Sequence, residues 1–142
     1  MSFTAQIPYG AYWSTPFAKW QGTLSHLHSV KFGAHVAKME LAKRNISPDV
    51  FDYANLGLTV PQHQSFHGLP WFTGLIGAPD VGGPTISQVC ATGVRCILDA
   101  TQSVEAEMSE VSLVATVDRV SNGPQLYYPA PGGVGGTGAH EN

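Results

Sequence analysis

An α/β fold with a largely parallel sheet is predicted by three features of this sequence. Apolar segments with helical period alternate with short β-rich segments, the pattern of strands joined by helical crossovers. "VSLVATVD" (residues 111–118) is β-branched and almost uncharged, as a strand buried within a sheet would be. The chain has 142 residues, 43% of them hydrophobic, which is enough for one domain with a core.

The elements follow in chain order. "FTAQI" (residues 3–7) reads as a short strand and "STPFAKWQG" as a loop. Leu27, Val30, Ala34, Ala37 and Leu41 recur at helical spacing, and Phe32, Val36 and Met39 form a second apolar face. The spacing predicts a helix covered on more than one side and ending near Asn45. "SPDVF" predicts a helical turn, with Ser47 as N-cap and Pro48 at the first position. "YANLGLTV" reads as a strand. "SFHGLPWFTGLIGA" is apolar but interrupted by three glycines and a proline, a broken helix. "PTISQV" reads as a short strand. A helix is predicted from Ala91 to about Glu107, with a stripe through Ala91, Val94, Ile97, Leu98 and Val104. "VSLVATVD" is expected to be central in the sheet. From Ser121 on, "SNGPQLYYPAPGGVGGTGAHEN" reads as loop, with no closing element. The division is therefore an α/β domain over 1–120 and a Gly/Pro-rich loop over 121–142.

Composition excludes several classes. Net charge is −3, and the seven Lys and Arg are scattered rather than interleaved with aromatics, which speaks against nucleic-acid binding. No apolar run approaches membrane-spanning length. "MSFTAQIPYG" lacks the pattern of a secretory signal, and two cysteines in that context predict a reducing, cytoplasmic setting. Charged residues make up only 12%, about half the usual share. So little charge predicts a surface covered in part by other polypeptide.

Several residue sets invite functional readings. Gly133, Gly135 and Gly138 spell GxGxxG, but no strand precedes them and no helix can follow, so a dinucleotide site is rejected. His26 with His28, and His63 with His67, have spacings seen in metal sites, yet HExxH and CxxC are absent, and no metal is expected. A Cys90–Cys96 disulfide fails on geometry, because six helical residues rise about 9 Å. Cys96 lies off the expected stripe and reads as a small residue packed on a second buried face. Cys90 closes a strand and opens a helix, followed by Ala91, Thr92 and Gly93. Helix N-terminal N–H groups favour a thiolate and can hold an oxyanion as a thioester forms or breaks. The residues alone leave Cys90 open between a nucleophile and a buried structural thiol.

"ISQVCATG" resembles the strand-turn-helix that carries the acyl-accepting cysteine of the thiolase superfamily. "STPFAKWQGTLSHL" (residues 14–27) resembles the N-terminal thiolase motif of Arg-Thr-Pro, Gly-Lys-Phe and Gly. Thr15, Pro16, Lys19, Trp20 and Gly22 match, with Ser14 in place of Arg and Ala18 in place of Gly. "DRVSNGPQLYYP" resembles the Ser-Asn-Ala-Pro loop, with Gly123 for Ala. The resemblance implies a thiolase-like fold, of which this chain is the incomplete N-terminal half, with a largely parallel sheet and a central buried helix after the nucleophile. It implies acyl transfer through a Cys90 thioester, forming or cleaving a 3-ketoacyl-CoA, with coenzyme A thioesters as substrates and no cofactor. The family's activating histidine, in Gly-His-Pro, and its second cysteine, in Cys-x-Gly, are not in these 142 residues. The chain is expected to be inactive alone and to pair with a copy of itself or with a chain supplying the C-terminal half. The loop domain of the family would follow residue 142. A β-ketoacyl synthase and a non-catalytic interaction subunit are the alternatives.

Overall fold

The computed structural model describes residues 4–124 and the backbone of 126–127 and 140–141. Three strands form a parallel sheet: β1 (Tyr53–Gly57), β2 (Thr85–Ile86) and β3 (Ser112–Thr116), in the spatial order β2-β1-β3. Leu56 pairs with Thr85 on one side of β1 and with Ala115 on the other. The helices are α1 (Ser29–Lys43), α2 (Leu69–Ile76) and α3 (Thr92–Glu105).

Side chains of a strand alternate between its two faces, so β1 divides the molecule. Ala54 and Leu56 point into a core with Val30, Ala34, Ala37 and Leu41 of α1 and Leu69, Phe72 and Ile76 of α2. Tyr53, Asn55 and Gly57 point the other way, against α3. The sheet therefore lies between an α1/α2 layer and α3.

The first helix forms as its stripe predicts, with Val30, Ala34, Ala37 and Leu41 buried. It stops because Asn45 turns left-handed (φ 56°) and the Ile46 N–H reaches back to Leu41 O at 3.0 Å, a Schellman-type closure. The second face is covered only in part: Phe32 and Val36 are half-buried and Met39 is exposed. Ser47 caps the 3₁₀ turn Pro48–Val50 by accepting from the Asp49 N–H. The broken helix also forms. Ser65–His67 is a 3₁₀ turn, Gly68 (φ 48°) breaks the path, and α2 runs on to a left-handed Gly77.

Four expectations are corrected. Residues 4–7 of "FTAQI" form no strand; the N–H groups of Thr4 and Ala5 donate instead to Glu105 Oε1, at 2.5 and 2.6 Å. β3 is an edge strand of the described sheet, and the central strand is β1, buried from Ala54 to Gly57. On α3 the expected stripe is turned around. Val94, Ile97 and Leu98 are exposed, and the buried residues are Thr92, Cys96, Ala100 and Ser103. Apolar period locates a face but not which neighbour covers it. Within the expected terminal loop, β4 (Leu126–Tyr127) pairs antiparallel with β5 (His140–Glu141). Gly133, Gly135 and Gly138 lie outside the described residues.

Carboxylates tie the loops to these layers. Asp52 accepts from the Ser109 hydroxyl (2.6 Å) and from the N–H groups of Glu110 and Val111 (2.7 and 3.2 Å). Those hydrogen bonds, the Ser109 one foremost, hold its carboxyl below the usual range. Glu105 is lowered by the Ala5 and Thr4 N–H groups, and Glu40 by its hydrogen bond to Arg44. Groups depressed in the folded state stabilise it above the ordinary carboxylate range of about 4, and that contribution is lost as pH falls through their folded values. Urea unfolding at descending pH should show stability falling below about pH 4, with Asp52→Asn less stable at neutral pH and flatter on the acid side. Parallel curves for the two proteins would refute the assignment to Asp52.

Candidate active site

Two successive crossovers set the place of the site. The chain leaves the C-terminal end of β1 toward α2 on one face and leaves the C-terminal end of β2 toward α3 on the other. Where neighbouring parallel strands send their connections to opposite faces, an open α/β sheet has a crevice at its carboxyl edge. Cys90 lies there, on the 3₁₀ turn Val89–Ala91 that leads directly into α3.

The turn is held by Thr92. Its hydroxyl donates to Val89 O at 2.7 Å and accepts the Gln88 N–H at 2.8 Å, while the Ala91 N–H donates to Gln88 O at 3.0 Å. Cys90 is exposed, and no group among the described residues hydrogen-bonds its sulfur. Val89 before it has φ 50°, which places a β-branched residue in the left-handed region. Strain next to a presented side chain is a signature of functional turns, and neither composition nor periodicity carried that signal.

Gly57 brings α3 down onto the sheet. A Cβ there would lie 2.8 Å from methyl carbons of Thr92 and Thr116 and 3.1 Å from Cys96 Sγ. Cys96 is 0% exposed, and burial first, then Asp99, pushes its thiol up. Tyr53 is pushed up to about 12 by burial and by its hydrogen bond to Asp99. The second-face reading of Cys96 is therefore correct, except that this face is the one on the sheet.

Two segments that carry the family resemblance meet in space. The Gln21 N–H donates to Ser121 Oγ at 2.7 Å, and Gln21 Nε2 donates to Asn122 Oδ1 at 2.9 Å. Arg119 donates to the carbonyls of Ser25, Leu27 and Asn122. Lys19 and Gly22 close a turn through the Gly22 N–H to Lys19 O, 2.9 Å. Beside this junction, Pro61, Gln62, His63, Arg119, Asn122, Gly123 and Pro124 line an open cavity of about 370 Å³ that does not include Cys90.

The histidines do not assemble. His28 and His63 meet only through His28 Nε2 and the His63 carbonyl, 2.7 Å, while the His28 ring stands edge-on to Trp71. His63 and His67 do not share an α-helical face, because Gln64 (φ 63°) is left-handed between them. Among the described residues no three metal-ligating side chains cluster, and no helix is long and apolar enough to cross a membrane.

These features define an α/β layer that presents a cysteine on a strained turn at the carboxyl edge of a parallel sheet. The chain belongs to the thiolase family: residues 11–132 match the family described as "Thiolase, N-terminal domain". Acetyl-CoA acetyltransferase IA of Candida tropicalis is 30% identical over 118 residues, which are 82% of this chain and 29% of that protein. Acetyl-CoA acetyltransferase FG05087, mitochondrial, of Gibberella zeae is 25% identical over 127 residues, covering 83% and 28%. The solved acetyl-CoA acetyltransferase of Syntrophomonas wolfei superposes with a TM-score of 0.74 at 26% identity, over 89% of this chain and 32% of that one. The chain thus spans under a third of the length of the curated relatives it matches.

Two substitutions probe the site geometry. Gly57→Ala should destabilise the fold by about 1–3 kcal/mol in urea unfolding, since a Cβ has no room beneath α3. Val89→Asn, which tolerates a positive φ, should stabilise it by about 1 kcal/mol. A destabilised Val89→Asn would show that the valine side chain is worth more than the strain.

Proposed function

We propose that this chain carries the acyl-accepting part of a thiolase-type acyl-CoA C-acyltransferase site, with Cys90 as the nucleophile. The observation that carries this reading is the exposed Cys90 on a strained turn at the N-terminus of α3, inside the segment that matches the family. The Cys90 sulfur attacks the carbonyl of an acyl-CoA or 3-ketoacyl-CoA. A Cys90–acyl thioester forms as the bond from the carbonyl carbon to sulfur or to the 2-carbon breaks, and the proton given up by the Cys90 thiol ends on the departing CoA thiolate or acyl-CoA carbanion. Backbone N–H groups at the start of α3 are the donors nearest to hand for the tetrahedral oxyanion. A second CoA species then accepts the acyl group. The scheme uses coenzyme A thioesters as substrates and needs no resident cofactor.

Turnover needs more than this chain supplies. A cysteine nucleophile normally works beside a base, and Cys90 has no hydrogen-bonded partner among the described residues. The base would come from a copy of this chain or from a polypeptide that supplies the remaining length of the relatives. The exposed Val94, Ile97 and Leu98 face of α3 supports such a covering partner. The Gibberella zeae relative carries "mitochondrial" in its name, and a cytoplasmic site for this chain is part of the proposal.

Alkylation alone does not test the role of Cys90, because Cys96 is buried and slow for that reason. The informative experiment is transfer from acetyl-CoA, read by mass spectrometry of the intact chain and its peptides. The expected result is one acetyl group on Cys90, lost in Cys90→Ala, without sustained CoA-dependent thiolysis by the chain alone. Acetylation equally strong in Cys90→Ala, or none in the parent chain, would overturn the nucleophile. Robust thiolysis by the 142-residue chain would overturn the need for a partner.

A further inference from the structure

The face that α3 turns to the sheet is made of small side chains, Thr92, Cys96, Ala100 and Ser103. Small residues allow close approach but interlock weakly, so packing alone leaves a helix room to slide or turn about its axis. The larger apolar side chains, Val94, Ile97 and Leu98, point away from the sheet. What fixes the setting of α3 is polar. Asn55, 0% exposed in the central strand, donates from Nδ2 to Cys96 O at 2.8 Å and to Asp99 Oδ2 at 3.2 Å. Tyr53, two residues earlier and so on the same face of β1, donates its hydroxyl to the same Asp99 oxygen at 2.7 Å. A backbone carbonyl and a side chain of one helical turn thus hang from two adjacent same-face positions of β1. Hydrogen bonds are directional, so this pair of anchors sets both height and rotation.

Stability alone does not explain the amide. Asn55 Oδ1 is buried with no hydrogen-bond partner, a penalty that a leucine, branched alike but apolar, would avoid. What the amide supplies and a leucine does not is a defined register between strand and helix. That register reaches Cys90 directly, because Val89–Ala91 runs without a gap into Thr92 and α3.

We propose that Asn55, with Tyr53 and Asp99, positions Cys90: the three hold α3 at the height and rotation that present the thiol and the first helical N–H groups to one incoming thioester carbonyl. The inference rests on the reading of Cys90 as acyl acceptor. None of the three touches the reacting atoms, so they are positioning residues and not catalytic ones.

The test uses the full chain and four variants, Asn55→Leu, Tyr53→Phe, Asp99→Asn and Asp99→Leu, with Leu41→Ala on the opposite face as a destabilised control. Two quantities are read at a temperature where circular dichroism shows all of them folded: the rate of Cys90 acetylation by acetyl-CoA, and the backbone amide resonances of residues 90–93. Asn55→Leu and Asp99→Leu should slow acetylation about tenfold and move those resonances. Tyr53→Phe should slow it about threefold, having lost one of the anchors. Asp99→Asn keeps an acceptor for both donors and should stay close to the parent, a rescue that a charge effect would not give. Leu41→Ala should lose stability with the resonances of 90–93 in place. The proposal is overturned when Asn55→Leu and Asp99→Leu leave those resonances and the rate as in the parent, or when Leu41→Ala shifts them equally. A parent chain that takes no acetyl group while Asn55→Leu moves the resonances overturns the nucleophile and leaves the positioning intact. An unfolded Asn55→Leu passes the decision to Tyr53→Phe and Asp99→Leu, whose parent-like rate and resonances would overturn the proposal.

Discussion

The close approach of α3 to β1 over Gly57 is the contact to which the rest of the molecule is referred. With only a hydrogen at that position, Thr92 and Cys96 come to van der Waals distance of the strand, and Thr116 closes the gap from β3. The helix can then sit low over the sheet, and its N-terminal turn ends at the sheet's carboxyl edge rather than above it. The opposite face of the same strand carries the apolar core, through Ala54 and Leu56. Five residues therefore do two jobs by alternation. One set of side chains supplies burial, and the other supplies proximity and hydrogen bonds.

The few charged groups of the chain are spent on backbone rather than on one another. Asp52 binds the 109–111 loop, Asp118 takes the N–H groups of Thr59 and Val60, and Glu105 takes those of Thr4 and Ala5. Arg119 gathers the carbonyls of Ser25, Leu27 and Asn122, and Arg44 those of Gly10 and Tyr12. The described ion pairs all involve Glu40, with Lys43 and Arg44. Loops without ladder partners need donors and acceptors from somewhere. Long-range clamps of this kind join segments about a hundred residues apart, such as Gln21 and Ser121. The carboxylates and guanidiniums present thus work as local caps for backbone.

Local signals were legible in the sequence, and non-local ones were not. The α1 stripe, the Ser47 cap and the Gly68 interruption each depend on residues within one or two turns, and each formed as read. The resemblance of "ISQVCATG" and its flanking motifs located the family, and Cys90 stands within the residues that match it. What misled was the assumption that an apolar stripe faces the nearest sheet. On α3 the sheet takes the small residues, because Gly57 and the polar anchors ask for closeness, and the large residues go to the other side. The place of β3 at the edge is likewise a property of pairing order and not of its β-branched composition. The left-handed Val89 carried no sequence signal at all, since a valine there contradicts its own propensity.

The left-handed Val89 and the exposed stripe of α3 break two local rules at one helix. Burial and backbone sterics on their own favour Val94, Ile97 and Leu98 turned inward and Val89 at negative φ. This chain holds the helix by Gly57, Asn55 and Asp99 in the setting that has neither. Both features are unfavourable for these 142 residues taken alone, and both concern the helix that begins at Cys90. Local rules broken together at one helix mark a place where the structure is not set by its own stability. Burial of the stripe under further polypeptide would recover part of that loss.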